Sequence, residues 1–330
     1  MFKDTDIALL RTLIGSSDGV LIATHTHPDG DALGSSAALC LQLRSKGIRA
    51  VVAYPEPLPP TISFVLDGLD HIVGAEGLGE AMATCDTLIC TDMNGLDRAG
   101  AFEDALRSFS GRRILIDHHL NPHLEEFDLV ISTPEVSSAS ELEYWILKAL
   151  YGTELDFRAL YCLMTGMTTD TNNFANSVFP TTLQMAGELL AAGVDRDDII
   201  NRIYHSYRRN RVYAMSDILS GMKILPGGVA YMIVSSEDWL RHGLAEGELE
   251  GLVNVPLSIG EVRLSIYLRQ EGDVLRASLR SKKGVSARDI AAELFHGGGH
   301  ENASGGRLVI GEDIESVADA ARYIEEKVKI

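Results

Sequence analysis

Cysteine is scarce in this 330-residue chain: Cys40, Cys85, Cys90 and Cys162 are the four, and no two of them form a CxxC pair. Each lies in an apolar stretch, so buried thiols in a reducing compartment are expected, and redox or zinc-finger chemistry is disfavoured. Positive charge is short as well. The 29 Lys and Arg face 47 Asp and Glu, a net charge of −18 with histidine neutral. That balance argues against bulk binding of duplex nucleic acid, whose affinity comes from many Lys and Arg neutralising phosphates; a phosphate ligand must be small or gripped locally. No apolar run approaches the roughly 20 residues of a membrane span. The opening MFKDTDIALLRTLIG breaks its apolar residues with Lys3, Asp4, Asp6 and Arg11 at helical spacing, the pattern of an amphipathic helix and not of a secretory signal. A cytoplasmic protein without a membrane association is expected.

What the chain does have is an alternation of short β-branched or apolar runs with helical patterns. Strands are read at about 20–24, 48–53, 86–91, 113–117 and 128–131, with helices such as 33–46 and 139–150 between them. This predicts an α/β fold: an N-terminal doubly wound parallel-sheet domain over 1–194, then one long polar connector helix over 195–224 stopped by Pro226-Gly227-Gly228, then a smaller C-terminal α/β domain over 225–330. In the latter, strands are expected at about 229–235, 262–270, 274–281 and 307–310, with helices at 286–295 and 313–328. The run Arg208-Arg209-Asn210-Arg211 on the connector reads as a solvated helix face.

In an open parallel sheet, ligands gather at the carboxyl ends of the strands. Here those ends carry carboxylates and imidazoles. His25-Thr-His27-Pro-Asp29-Gly-Asp31 follows the first strand, Asp92 follows 86–91, Asp117-His118-His119 closes 113–117, and GMTTD is read as a fourth such end at Asp170. Any one of these alone would more often be a helix cap or a pair of ordinary imidazoles; four together reverse that reading. Asp29, Asp31, Asp92 and Asp170 at one point would repel, and some would keep protons unless cations replaced them. Two divalent ions cancel four carboxylates, and paired ions are a recurrent device for phosphoryl displacement. Oxygen and imidazole donors without thiolate favour Mn²⁺, leaving Mg²⁺ and Co²⁺ open.

These residues resemble the DHH superfamily of phosphoesterases. His25 to Ser35, Asp92 to Gly100, Asp117-His118-His119 and Asp170 to Phe174 match its four motifs in order, and Ser278 to Val285 and Gly297 to Gly306 look like its DHH-associated substrate domain. The short two-domain chain most resembles the group of bifunctional oligoribonucleases and phosphoadenosine-phosphate phosphatases.

By that resemblance His25, Asp29 and Asp92 would hold one metal, and Asp31, Asp92, His118 and Asp170 the other, with Asp92 shared. Asp117 would orient a ligand imidazole, His119 would face the phosphate or leaving group, and Arg98 would contact the phosphate. Arg280 and His300 would grip a terminal phosphate or base, with Gly297, Gly298 and Gly299 letting backbone N–H groups come close. His27 departs from the family pattern, which has asparagine there, and its role is left open. The implied activity is hydrolysis of short single-stranded 5′-phosphorylated oligonucleotides or linear dinucleotides to mononucleotides, with removal of the 3′-phosphate of phosphoadenosine phosphate as a second activity. An exopolyphosphatase or pyrophosphatase and a non-enzymatic nucleotide-binding protein are the alternatives. Whether the chain forms a homodimer is left open.

Overall fold

A computed structural model describes all residues, Met1–Ile330. It divides into two compact units, Met1–His205 and Ser206–Ile330.

The first unit is built on a six-stranded parallel sheet of β1 (Val20–Ala23), β2 (Ala50–Tyr54), β3 (His71–Val73), β4 (Thr87–Thr91), β5 (Arg112–Asp117) and β6 (Leu129–Ser132). The spatial order is β3-β2-β1-β4-β5-β6. Helices α1 (Asp4–Gly15), α2 (Gly30–Ser45), α3 (Leu78–Thr84), α4 (Glu103–Arg107), α5 (Ala139–Tyr151), α6 (Phe157–Asp170), α7 (Pro180–Ala191) and α8 (Arg196–Tyr204) complete it. Side chains alternate across a strand, so Val20 and Ile22 enter the core beneath α1, α2, α5 and α6, while Leu21 and Ala23 enter the opposite core with residues of α3 and α4. A sheet covered on both faces explains why these strands read as unbroken apolar runs. The strand order reverses between β1 and β4, the position at which such sheets bind ligands.

The second unit contains α9 (Arg209–Ser220), β7 (Lys223–Leu225), β8 (Val229–Val234), α10 (Ser236–His242), β9 (Leu264–Glu271), β10 (Val274–Ser281), α11 (Ala287–Leu294), β11 (Gly298–His300), β12 (Ala303–Val309) and α12 (Asp319–Lys327). Its sheet order is β11-β12-β10-β9-β8-β7; β8 and β9 are parallel and the other neighbours antiparallel. No helix of either unit is long and apolar enough to cross a membrane.

The single helix expected over 195–224 is two, α8 and α9, one in each unit. Tertiary contacts override the helical pattern between them. Arg208 is extended, and its guanidinium forks onto Glu248, Nε to Oε1 at 2.6 Å and Nη2 to Oε2 at 2.7 Å. Arg211 is buried, lies 3.6 Å over the Tyr207 ring and donates to the Glu250 carbonyl. Arg208, Arg209 and Asn210 of the arginine run are exposed, as expected of a solvated face, and Arg211 alone is buried. All four cysteines are buried.

Candidate metal centre

The turn after β1 delivers Asp29 as the N-cap of α2, where its Oδ1 accepts from the amides of Asp31 and Ala32 at 3.0 and 3.1 Å. Capping uses one oxygen and leaves Oδ2 for another partner. Asp31, one turn-position on, is fully buried and points at the start of α5: its Oδ2 accepts from Ala139 N at 2.7 Å and its Oδ1 from Ser140 N at 3.0 Å. The positive end of that helix is a suitable place for a carboxylate.

Asp170 arrives from a different direction than expected, since it is the last residue of helix α6 and not a strand end. Glycines permit its approach. A methyl on Gly34 would lie 2.7 Å from the Cys162 carbonyl oxygen and 2.8 Å from Gly166 Cα, and one on Gly30 would collide with the Thr169 side chain. Backbones of α2 and α6 thus pack directly, which brings Asp31 and Asp170 to the same imidazole: His118 Nε2 is 3.9 Å from Asp31 Oδ2 and 3.8 Å from Asp170 Oδ2.

Asp92 sits where β4 ends. Its φ of +57° is left-handed, a conformation that costs a non-glycine residue on the order of 1 kcal/mol and is retained where its surroundings fix it. One oxygen lies 3.4 Å from His118 Nε2 and the other 3.4 Å from His25 Nε2. Three groups of side chains offer ligand atoms within 4.8 Å of one another: His25, Asp29 and Asp92; Asp31, His118 and Asp170; and Asp92, His118 and His119. Asp117 is bonded to His119, not to the others: Oδ1 is 2.7 Å from His119 Nδ1, and Oδ2 accepts from the His119 amide. Arg98, in a short turn after β4, accepts from Thr26 N through its carbonyl, and its charge bears on His25.

Protonation shows how much positive charge this cluster requires. Burial pulls His25 down, but the hydrogen bond and charge of Asp92, aided by Asp29, raise it to about 9. Burial likewise opposes protonation of His118, and Asp92, Asp170 and Asp31 raise it to about 10. Burial would push Asp92 up; bonds from His118 and His25 hold it well below the usual carboxylate range. Asp31 goes the other way, raised well above that range by burial and by the charges of Asp92 and Asp170. Burial and mutual charge thus push both imidazoles and Asp31 toward their protonated forms, the compensation that divalent cations would supply instead. Its oxygen and imidazole donors fit such ions.

In the second unit, Arg280 on β10 pairs with Ala303 on β12, which pairs in turn with His300 on β11. Residues directly opposite share a face, so both side chains leave the same side of the sheet. Gly298 and Gly299 lie on the edge strand β11, paired with Gly305 and Ser304 of β12. A methyl on Gly297 would collide with the Gly305 carbonyl, one on Gly299 would lie 2.8 Å from the Ala303 carbonyl, and Gly298 has open space.

Residues 19–167 match the DHH family, N-terminal domain, and residues 227–328 match the DHHA1 domain. The bifunctional oligoribonuclease and PAP phosphatase NrnA of Thermus thermophilus is 30% identical over 315 residues, 92% of this chain and 89% of that one. The chain belongs to the DHH family. Its NrnA relative from Bacillus subtilis is 28% identical over 321 residues, 94% of this chain and 95% of the other. The crystal structure of an exopolyphosphatase-related protein from Bacteroides fragilis matches with a TM-score of 0.91 and 32% identity, covering 98% of this chain and 96% of that one. As a DHH-family phosphoesterase the chain is a hydrolase of phosphoester bonds, and the family uses divalent metals.

Several residues around the DHH centre escape a reading of motifs. Ser137 and Thr182 donate to a single oxygen of buried Glu141, and Glu143, on the same helix, is fully buried with neither carboxyl oxygen partnered. Glu56 receives Thr26 and His27 from the first motif. Thr182 lies 41 residues from Glu141 and Thr26 lies 30 from Glu56, and an isolated glutamate carries no spacing signal.

Proposed function

We propose that this DHH phosphoesterase is a Mn²⁺-dependent cytoplasmic phosphodiesterase that hydrolyses short 5′-phosphorylated oligonucleotides and linear dinucleotides to mononucleotides, and that it also removes the 3′-phosphate of phosphoadenosine phosphate. The observation that carries the reading is the convergence of His25, Asp29, Asp31, Asp92, His118 and Asp170 in ligand-capable groups at the sheet's switch point. The names of the NrnA relatives support the substrate class. Unpaired buried thiols suit the compartment.

In this reading the domain over 1–194 carries the chemistry, with the six residues holding two ions, Asp92 in common. Bound divalent ions supply Lewis acidity that neutralises phosphate charge and activates water. Asp117 accepts from His119 Nδ1–H, and in its imidazolium form the ring would carry a second proton on Nε2 to give to the departing sugar oxygen, leaving the neutral Nδ1–H imidazole. Arg98 contributes charge to the phosphate. The domain over 225–330 binds the substrate's far end through Arg280, His300 and the backbone of Gly297, Gly298 and Gly299.

The test is to incubate the protein with 5′-phosphorylated diadenylate and Mn²⁺, with a chelator control, and to resolve products by chromatography over time. Metal-dependent mononucleotide supports the reading. An intact dinucleotide beside hydrolysed polyphosphate would overturn it in favour of the second reading, an exopolyphosphatase, which the name of the Bacteroides fragilis relative favours.

A further inference from the structure

The first motif contains a residue that is strained and pinned. His27 has a φ of +53°, left-handed backbone that is uncommon outside glycine and is retained where the surroundings fix it. What holds it is Glu56, just beyond β2. A single oxygen of Glu56, Oε1, accepts from the His27 backbone amide and from Thr26 Oγ1 at 2.5 Å, and lies 3.0 Å from His27 Nδ1. The clamp reaches further. The carbonyl of Thr26 accepts from His25 Nδ1 at 2.7 Å; a carbonyl only accepts, so Nδ1 carries the proton whatever the ring's charge. That bond fixes the ring's rotation and turns Nε2 toward Asp92, 3.4 Å away. In its neutral form the ring would then offer Nε2 as a lone pair, the form in which imidazole binds a metal.

We propose that Glu56 is a positioning residue for the candidate metal centre: by clamping Thr26 and His27 it fixes the Thr26 carbonyl, and through it presents His25 Nε2 to the ion shared by His25, Asp29 and Asp92. The proposal rests on the reading of that cluster as a metal centre. Glu56 belongs to none of the three ligand-capable groups, so it acts only through the loop. The clamp also accounts for the strain at His27, because the left-handed turn is what places both the Thr26 hydroxyl and the next amide on one carboxylate oxygen.

The test is a Mn²⁺ titration of the full-length, chelator-stripped protein, with free Mn²⁺ read by electron paramagnetic resonance, so that each equivalent is followed separately. Wild type is expected to bind two. Glu56→Ala should weaken one of them by about 10–100-fold, the usual effect of losing an outer partner of a metal ligand, while the other keeps its affinity. Glu56→Gln, whose amide oxygen still accepts from Thr26 Oγ1 and the His27 amide, should lie closer to wild type than to the alanine variant. Two wild-type equivalents in Glu56→Ala would overturn the proposal, as would equal weakening of both, which marks general loosening. If Glu56→Ala does not fold, Thr26→Val decides: one weakened equivalent supports the link and two intact equivalents refute it. A wild-type protein that takes up no Mn²⁺ would overturn the metal-centre reading, and this proposal with it.

Discussion

Glu143 allows the electrostatics of the centre to be tested without touching a ligand. Its side chain is fully buried on α5, neither carboxyl oxygen has a partner, and burial together with the charges of Asp31 and Asp92 raises its pKa well above the usual range. The folded protein therefore favours the neutral form of Glu143, and Glu143→Gln preserves shape while removing the ability to ionise. The sign follows from linkage. Below the unfolded pKa of about 4.3 the carboxyl is neutral in both states and costs nothing. Above it the unfolded chain ionises and the folded one does not, so wild type loses stability relative to the variant by about 1.4 kcal/mol per pH unit until the buried acid itself ionises. From pH 5 to pH 6 the advantage of Glu143→Gln should widen by about 1.3 kcal/mol. Urea unfolding in chelator, followed by the fluorescence of Trp145 in a Trp239→Phe background, reports this from the first unit, and the shift in midpoint converts through the denaturant slope. A gap that stays flat across that interval would mean that Glu143 is already ionised and compensated, and the account of the cluster's charge would be wrong.

Four further outcomes are expected. Asp92→Asn removes the carboxylate placed between His25 and His118 and should lower kcat/KM on 5′-phosphorylated diadenylate by more than about 100-fold, beyond the loss typical of outer partners; near wild-type turnover would refute its central place. Gly166→Ala would normally stabilise a helix by up to about 1 kcal/mol, but here the methyl collides with Ser140 Oγ and comes within 2.9 Å of Asp31 Oδ1. A thermal melt should therefore show destabilisation of about 1–3 kcal/mol, and a raised melting temperature would contradict the packing. Asp117→Asn should depress kcat on the dinucleotide by about 100-fold while largely sparing a p-nitrophenyl diester, whose leaving group needs no proton; equal losses on both would remove His119 from the acid role. Arg280→Ala should raise KM for the dinucleotide and leave the p-nitrophenyl diester unchanged, and a matching loss on both substrates would end its assignment to the far end of the substrate.

The strands of the first sheet were legible because burial on both faces makes them apolar throughout, and the convergence of the candidate ligands because three of the four segments follow strands directly. Asp170 was misplaced by analogy with the other three segments, which follow strands; it ends a helix capped by Asp156, and its approach to the centre depends on the close packing of Gly34 against Gly166, visible only when α2 and α6 lie together. The break at 205–208 depends on Glu248, forty residues beyond Arg208, and no local pattern announces it. The glycine run at 297–299 lacks side chains to signal a strand, and only backbone pairing with β12 makes it one. Glu56 and Glu143 were invisible for a related reason: their significance lies in what surrounds them.

Every candidate ligand, from His25 to Asp170, precedes His205, where the first unit ends. Domains fold amino-terminal first as they are synthesised, at about 5–20 residues per second, so the 125 residues from Ser206 to Ile330 (330 − 205) take about 6–25 s to follow. A first unit that folds in that interval would already hold every candidate ligand on a nascent chain that lacks its second unit. An ion that reached the centre at that stage would meet a site whose candidate side chains all belong to the first unit, so its uptake would not have to wait for the second.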